Sequence, residues 1–350
     1  MGDHPGWKGR GAADNPTNRF ELRVIEPDPE ARDERSAPET QVLPDRARTI
    51  LTRNDSPDVG FTWSLNPYRG CEHACAYCYA RPYHEYLGLS AGLDFETRLF
   101  VKEDAPDLLR NELAAPKWEP AVVALSGVTD AYQPIERRYR VTRRCLEVFA
   151  EFRNPVGVVT KNALVARDAD LLADLARDEA ALVMVSVTSL DSHLAGVMEP
   201  RASRPHARLA AIRALREAGV PVGAAVAPII PGLNDHEIPA ILEAVTEAGA
   251  RWAFFTIVRL PHGVGDLFAD WLGRHFPDRK DKVLGRVKEM RGGKLNEARF
   301  GVRMRGEGPL AEQIRALFQL SCRRVGLETK APTLSTAAFR SGRFTQGTLF

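Results

Sequence analysis

From about residue 120 to residue 262 the chain alternates short apolar runs, flanked by turn residues, with longer stretches in which apolar positions recur at helical spacing. AVVALSG leads into RRYRVTRRCLEVFAEF, VGVVT into RDADLLADLARD, and ALVMVSVT into HARLAAIRALREAG; VPVGAAVAPII leads into HEIPAILEAVTEAG, and WAFFTIVRL closes the series. Strand and helix in alternation predict right-handed βαβ units around a mainly parallel sheet. Gly219 and Gly249 fall where helices should end, each just before the next strand. A strand near Phe61 to Leu65, followed by the helical stretch DLLRNELAA, would start the series. The count is then six βα units, so the expected fold is α/β: a partial, TIM-like (β/α)6 barrel rather than a closed one of eight.

The flanks read differently. Residues 1–60 are rich in Pro, Asp, Glu and Arg, with PDPEARDERSAPE near the middle, and sustain neither helical nor strand periodicity. They are expected to form an irregular arm, disordered or solvated for most of its length, with folding over a substrate or partner as the alternative. Beyond about residue 263 the pattern is helical (LFADWLGRHF, DRKDKVLGRVKEM, LAEQIRALFQLSCRRVG). The expected division is therefore an arm at 1–60, a core at 61–262 and a basic helical C-terminal extension at 263–350.

Charge sharpens that division. Forty-eight Lys and Arg against 46 Asp and Glu leave +2 over 350 residues, which excludes a uniformly basic nucleic-acid coat and a strongly acidic disordered chain alike. From Arg274 onward, however, 17 Lys and Arg face seven Asp and Glu, so a +10 tail is joined to a −8 body. Such asymmetry is compatible with a phosphate-bearing partner, and RGGKLNEARFGVRMRGEG adds an aromatic, Phe300, that could stack on a base. The bland alternatives are a solvated helical face and a hairpin. GVGDLF lacks the surroundings of a dinucleotide fold. The chain closes on QGTLF, in which Gln346, Leu349 and Phe350 match the Q-x-x-L-F peptides that bacterial proteins insert into the sliding clamp.

No run of about 18 apolar residues occurs, and the first residues have no apolar core of the secretory kind, so no membrane contact and a cytoplasmic location are expected. In a reducing compartment five cysteines make an improbable disulfide framework. Three of them, Cys71, Cys75 and Cys78, lie in NPYRGCEHACAYCYARPY with C-x3-C-x2-C spacing. Three thiolates so close can wrap one face of a compact cluster. A zinc site would need a fourth ligand, for which His73 and His84 are the nearest candidates. A [4Fe–4S] cluster held by three cysteines leaves one iron open to bind something else. Cys145, in a helical pattern, and Cys322, in the tail, read as small buried apolar residues. His193, His206, His236 and His262 show no ligand spacing and read as surface or capping residues.

The spacing, Tyr77 just before the last cysteine, and the strand ahead of the motif closely resemble the radical S-adenosylmethionine (SAM) superfamily over about residues 60 to 262. The resemblance is strongest to its spore photoproduct lyase-like branch, and within it to a bacterial subgroup with an arm reading GRGAxxNPxNRFE, here GRGAADNPTNRFE. Further matches are SGVTDAYQPIE, VVTKNALVARDADLL, VSVTSLD, MEPR and APIIPGLND. The resemblance implies a [4Fe–4S] cluster on the three cysteines and SAM on the open iron. One electron, from a low-potential donor of flavodoxin or ferredoxin type, then releases a 5′-deoxyadenosyl radical that abstracts a substrate hydrogen. It further implies that the backbone of Tyr77 touches the adenine, that Tyr79 lies beside SAM, that Thr129 and Asp130 bind its methionyl end or ribose, that Lys161 meets its carboxylate and that Ser186 binds its ribose. For Asp130 and Lys161 the competing reading is a structural pairing with each other or with Arg167. One departure stands out: the lyase carries a hydrogen-donating cysteine just before the polar pair, and Val128 stands there instead. Another donor, such as Tyr79 or Tyr132, would be needed for that chemistry. The substrate class implied is nucleic acid; a non-catalytic iron–sulfur or zinc protein in redox sensing or clamp-linked DNA metabolism is the rival.

Overall fold

The structure is a computed structural model that describes residues 6–21 and 38–341; the QGTLF terminus lies outside the described residues. Six strands run parallel and adjacent in chain order: β3 (Trp63–Leu65), β6 (Val123–Leu125), β7 (Val156–Thr160), β8 (Ala181–Ser186), β9 (Val222–Ile229) and β10 (Ala253–Ile257). These are the six expected strands. The sheet does not close: β2 (Leu51–Arg53) pairs antiparallel with β3 at one edge, and β10 forms the other. A second sheet sets β5 (Arg98–Val101) between β1 (Gln41–Pro44), parallel to it, and β4 (Tyr68–Arg69), antiparallel.

The parallel strands are apolar because both faces are covered. Val123, Leu125, Val156, Val158, Val183, Val185, Val222 and Ala224 are buried together in the main core. Helices α2 (Ala105–Ala114), α4 (Val141–Phe152), α5 (Ala169–Ala176), α7 (Pro205–Glu217) and α8 (Ile238–Glu247) follow successive strands, with short α1 (Leu93–Thr97), α3 (Glu136–Tyr139) and α6 (Ser192–Met198) between them. Cys145, on the inner face of α4, is fully buried, in keeping with a small apolar role. Gly219 and Gly249 take φ +84° and +106° just past α7 and α8, the left-handed turn that lets each chain re-enter the sheet.

The C-terminal extension covers the β10 edge. Helices α9 (Val264–His275), α10 (Pro277–Glu289) and α11 (Pro309–Val325) are those expected. The Ala253 N–H donates to Glu328 O at 2.8 Å and the Ile257 N–H to Met304 O at 2.9 Å. Both occupy groups that an open edge would offer to another chain. Phe318 of α11 packs on Phe255 at 4.7 Å, and Cys322 is buried beside it in the same core. Among the described residues no helix is long and apolar enough to cross a membrane.

Among the described residues the arm is largely irregular but bonded to the body of the chain. It contributes β1 and β2, and residues 6–21 form an ordered strap without repeating backbone structure. The strap is held by Glu96, a fully buried carboxylate on α1. Glu96 Oε2 accepts from the Gly11 N–H at 3.0 Å and Oε1 from the Ala12 N–H at 2.9 Å, while Oε1 also pairs with the buried Arg81 guanidinium. Asn15 and Asp94 exchange two bonds, of 3.0 and 2.8 Å, and the Asn18 amide donates to Glu85 O and Leu89 O, each at 2.8 Å. A side chain at Gly11 would put its Cβ 2.0 Å from Ala74 O, so glycine permits the strap to lie directly on the cysteine loop.

Replacing Glu96 by Ala strands Arg81 in the interior and removes two acceptors from the strap. The expected loss is about 3–5 kcal/mol, read from urea denaturation. Trypsin should also cut after the buried Arg10 in the variant under conditions that spare the parent. An unchanged midpoint would refute the role given to the pair.

Candidate active site

The three cysteines lie in the loop that follows β4. The Cys71 N–H donates to Phe95 O at 3.0 Å and the Cys78 N–H to Cys75 O at 3.2 Å, and Ala74 between them takes φ +58°. Arg81, in the 3-10 turn Arg81–Leu87, reaches back: Nε and Nη2 donate to Cys75 O at 3.1 and 2.9 Å, and Nη1 to Ala91 O and Gly92 O at 3.2 and 3.0 Å. The loop is therefore clamped through its backbone, without a bond from Arg81 to any sulfur. All three are free; Cys71 and Cys75 are buried and Cys78 is half-buried.

Burial pushes all three thiols up, with Asp130 adding to the rise at Cys71 and Glu199 at Cys75; Lys161 opposes it at Cys75, and Arg81 and Lys161 oppose it at Cys78. Thiols so placed become ligands only when a cation lends its charge. Among the described residues no group of three or more His, Cys, Asp or Glu converges tightly enough to hold a single metal ion. A mononuclear zinc, with Zn–S near about 2.3 Å, needs that convergence; a four-iron cube takes each thiolate on a separate corner. The two histidines offered as a fourth zinc ligand are both engaged. His73 Nδ1 faces Asp130 at 3.3 Å and its Nε2 meets the Asn162 amide at 3.1 Å. His84 Nε2 meets Arg98 O at 2.9 Å, its ring packed edge-on to Phe95 and Phe100, and burial lowers its pKa to about 4. Two buried thiols and one half-buried thiol on a single short loop, none of them in a disulfide, are a donor set of the kind a cluster takes.

The polar residues expected around SAM sit at the carboxyl ends of the neighbouring strands. After β6, Asn66 Oδ1 accepts from the Gly127 and Val128 N–H groups, each at 2.9 Å, and Thr129 Oγ1 donates to Gly70 O at 2.7 Å. Val128 packs against the cluster formed by Cys71, Ala80 and Phe95, so an apolar side chain stands just before the Thr129–Asp130 pair. Asp130 accepts from the Tyr132 N–H (2.8 Å), Thr160 Oγ1 (2.7 Å) and the Lys161 N–H (2.8 Å). Burial would raise its pKa, but His73 and these donors outweigh burial and hold it at about 2. Asp130 thus grips Lys161 by its backbone and leaves its ammonium free. Neither residue pairs with Arg167, whose guanidinium is taken by Glu136 and Asp168, each at 2.7 Å.

The Lys161 ammonium, just beyond β7, donates to Ser186 Oγ at 2.8 Å and Ala227 O at 3.3 Å and faces the Tyr77 ring at 5.9 Å. Among the described residues no carboxylate lies within ion-pair distance of it. Tyr77 is buried, and its hydroxyl donates to Glu199 Oε1, which also accepts from Thr188 Oγ1 at 2.8 Å. Glu199 Oε2 pairs with the buried Arg208. Burial raises the Glu199 pKa, but Arg208 and then Lys161 pull it down to about 2. Tyr77, Lys161 and Ser186 are thus brought together, with Asp130 and Thr129 one strand away. Tyr79 is turned outward, 45% exposed, its hydroxyl donating to Gly127 O at 2.6 Å. Tyr132 is fully buried in the main core.

Glu96, Arg81, Glu199 and Arg208 escape the sequence reading, although Glu199 stands inside the MEPR match. Their only signal is an acid and an arginine in otherwise apolar surroundings, whose partners the fold alone reveals. His193, His206, His236 and His262 are exposed at helix starts and turns, as expected.

A family model described as the radical SAM superfamily matches residues 65–245. An uncharacterised protein of Mycobacterium tuberculosis is 37% identical over 232 residues, covering 66% of this chain and 67% of its own length. One of Methanocaldococcus jannaschii is 33% identical over 184 residues, or 53% of this chain and 66% of its own. Among solved structures, spore photoproduct lyase complexed with dinucleoside spore photoproduct gives a TM-score of 0.59 at 17% identity, covering 82% of this chain and 81% of that one. A variant of that lyase with bound AdoMet and the same dinucleoside gives 0.58 at 16% identity, covering 90% and 88%. At these identities the likeness is one of fold.

Substituting Arg208 by Ala leaves Glu199 buried without its cation and should lower stability by about 3–5 kcal/mol, measured by denaturant unfolding. Adding Glu199→Gln should recover part of the loss; strict additivity in the double variant would contradict the pairing.

Proposed function

The chain belongs to the radical SAM superfamily, and from that premise we propose that Cys71, Cys75 and Cys78 bind its [4Fe–4S] cluster and that Tyr77, Lys161 and Ser186 line the SAM pocket, with Thr129, Asp130 and Tyr79 at its border. The cluster and SAM, when bound, supply a 5′-deoxyadenosyl radical able to take a hydrogen atom from an unactivated carbon. This chain's residues bind and orient. The observation that carries the reading is three free thiols, two of them within electrostatic reach of an ammonium that has no carboxylate within ion-pair distance among the described residues, at the carboxyl ends of parallel strands where ligands of such folds gather.

Lys161 suits a carboxylate ligand. Its ammonium is held by a hydroxyl and a carbonyl, both neutral, so an incoming carboxylate would add the missing charge in a water-poor setting. Glu199, closed off by Arg208, Tyr77 and Thr188, sets the Tyr77 ring without competing for that ammonium. Asp130 fixes the backbone from which Lys161 projects. Val128 supplies no weak S–H bond, so a hydrogen atom returned to a product radical would come from another group or from 5′-deoxyadenosine, the second route regenerating SAM.

The substrate proposed is a base or sugar of a nucleic acid. The fold likeness to a lyase crystallised with a dinucleoside supports this, as does the +10 charge of the last 77 residues. The electron donor proposed is a flavodoxin- or ferredoxin-type carrier, and a cluster that works reduced suits a reducing compartment such as the cytoplasm.

Anaerobic reconstitution should load iron and sulfide, and a strong reductant should then yield 5′-deoxyadenosine from SAM. Any single Cys→Ala change at Cys71, Cys75 or Cys78 should abolish both. Lys161→Met should keep its iron but bind SAM about ten- to a hundredfold more weakly. A loaded parent that makes no 5′-deoxyadenosine would point to a non-catalytic iron–sulfur protein and overturn the reading. With SAM deuterated at its 5′ carbon, deuterium passed into added nucleic acid would identify the substrate where SAM is regenerated, and with the nucleic acid deuterated instead, deuterium arriving in 5′-deoxyadenosine would do so where SAM is consumed; transfer in neither experiment would refute nucleic acid.

A further inference from the structure

We propose that a row of exposed rings and arginines beside the cysteine loop binds single-stranded nucleic acid by stacking on unpaired bases. Among the described residues the exposed Phe, Tyr and Trp side chains are Phe20, Tyr79, Tyr83, Tyr86 and Phe300, and all five lie in this row. Phe20 stacks on Tyr86 with centroids 5.0 Å apart, and Tyr86 lies 6.3 Å from Tyr83. Arg259 covers the Tyr79 ring at 5.0 Å and stands within electrostatic reach of Tyr83 and Arg303. Arg303 in turn covers the Phe300 ring at 4.6 Å, and Arg19 covers Phe20 at 5.0 Å.

Five rings drawn from the arm, the turn after the cysteines and the C-terminal extension do not meet at the surface through the needs of one amphipathic element. Exposed apolar area gathered in one place marks a contact surface. Rings alternating with guanidinium planes suit stacked bases and the phosphates between them. The cations are unequal. Arg19 is paired with Glu85 and Arg303 with Asp58, whereas Arg259 has no carboxylate within ion-pair distance among the described residues. Its Nη1 contacts Met304 Sδ at 3.3 Å, and its Nε is buried without a hydrogen-bond partner. Arg259 is the cation left for a phosphodiester. Duplex DNA hides the faces of its bases, so the row selects single strands or strand regions already unstacked. Tyr79, next to Cys78 and hydrogen-bonded to Gly127 O beside Val128, joins the row to the mouth of the proposed radical site. The inference rests on the reading of the substrate as nucleic acid and adds the form in which it is held.

Anisotropy of fluorescein-labelled oligothymidylate with the full chain tests it, since this binding needs neither iron nor SAM. A single strand should bind more tightly than a blunt duplex of equal length. Tyr86→Ala and Phe300→Ala should each weaken the single-strand complex about tenfold, Tyr86→Phe should restore it, and Arg259→Met should reduce the salt slope by about one. Both Ala variants should melt like the parent and cleave SAM at the parent's rate when no nucleic acid is present. Affinity unchanged in both Ala variants overturns the proposal, as does equal affinity for duplex. Loss of reduction by a flavodoxin-type carrier in those variants with oligonucleotide affinity intact also overturns it, giving the surface to the electron donor. A parent that labels nucleic acid although the Ala variants bind normally sinks the row and spares the substrate reading. A strand bound through the row but never labelled does the reverse.

Discussion

A carboxylate removed from water must have every lone pair answered, and at Glu96 that demand organises the molecule around the cysteines. The group has no exposure, and its partners come from two distant parts of the chain: the Arg81 guanidinium after the last cysteine, and the Gly11 and Ala12 amides of the strap. Arg81 is equally buried and spends its other N–H groups on Cys75 O, Ala91 O and Gly92 O. Neither ion can move without leaving a charge stranded in the interior. The conformation of the cysteine loop is thus set from behind, through backbone carbonyls. Nothing in this arrangement uses the sulfur atoms, which stay available for a metal cluster.

The strand ends apply the same economy of charge. Two acids lie close to the thiols, and each is neutralised locally: Asp130 by three hydrogen-bond donors and the His73 ring, Glu199 by Arg208 with Tyr77 and Thr188. Left unpaired, either would oppose the thiolates that a cluster requires. Lys161 is treated in the opposite way, since its contacts are to uncharged oxygens. The electrostatic shape of the site is therefore two satisfied acids and one unsatisfied cation. That charge pattern suits the proposed site, where the carboxylate of SAM would be anchored close to the proposed cluster.

What was legible in the sequence follows from which forces leave a periodic trace. Strands covered on both faces must be continuously apolar, so β6 to β10 stand out, and the glycines after α7 and α8 mark their ends through the left-handed turn. The cysteine spacing stood out because it is local, three thiols within eight residues of one loop. The strap was not. Its order comes from backbone N–H groups caught by Glu96 and from the missing side chain of Gly11, and neither produces a hydrophobic period. β1 escaped as well, since of its four residues only Val42 is even half-buried. The competing pairing for Asp130, Lys161 and Arg167 failed because sequence proximity says nothing of orientation: Asp130 binds the backbone of Lys161, while Arg167 turns toward Glu136.

The strap also explains how part of the proposed binding row and the cysteine loop come to share one segment. After Asp94 and Glu96 have fixed residues 11–15, Asn18 bonds to the backbone at Glu85 and Leu89, and Arg19 closes on the Glu85 carboxylate at 2.6 Å. Those contacts leave Phe20 nowhere to go except over Tyr86. The turn bearing Tyr83 and Tyr86 starts three residues after Cys78, with Arg81, the clamp on Cys75, as its first residue. The positions of Phe20, Tyr83 and Tyr86 are therefore tied, through the strap and the turn after the cysteines, to the buried ion pair that also clamps the cysteine loop. A strand lying on those rings would be in register with the mouth of the site through a few short, rigid links, without a hinge or a domain closure to bring them together.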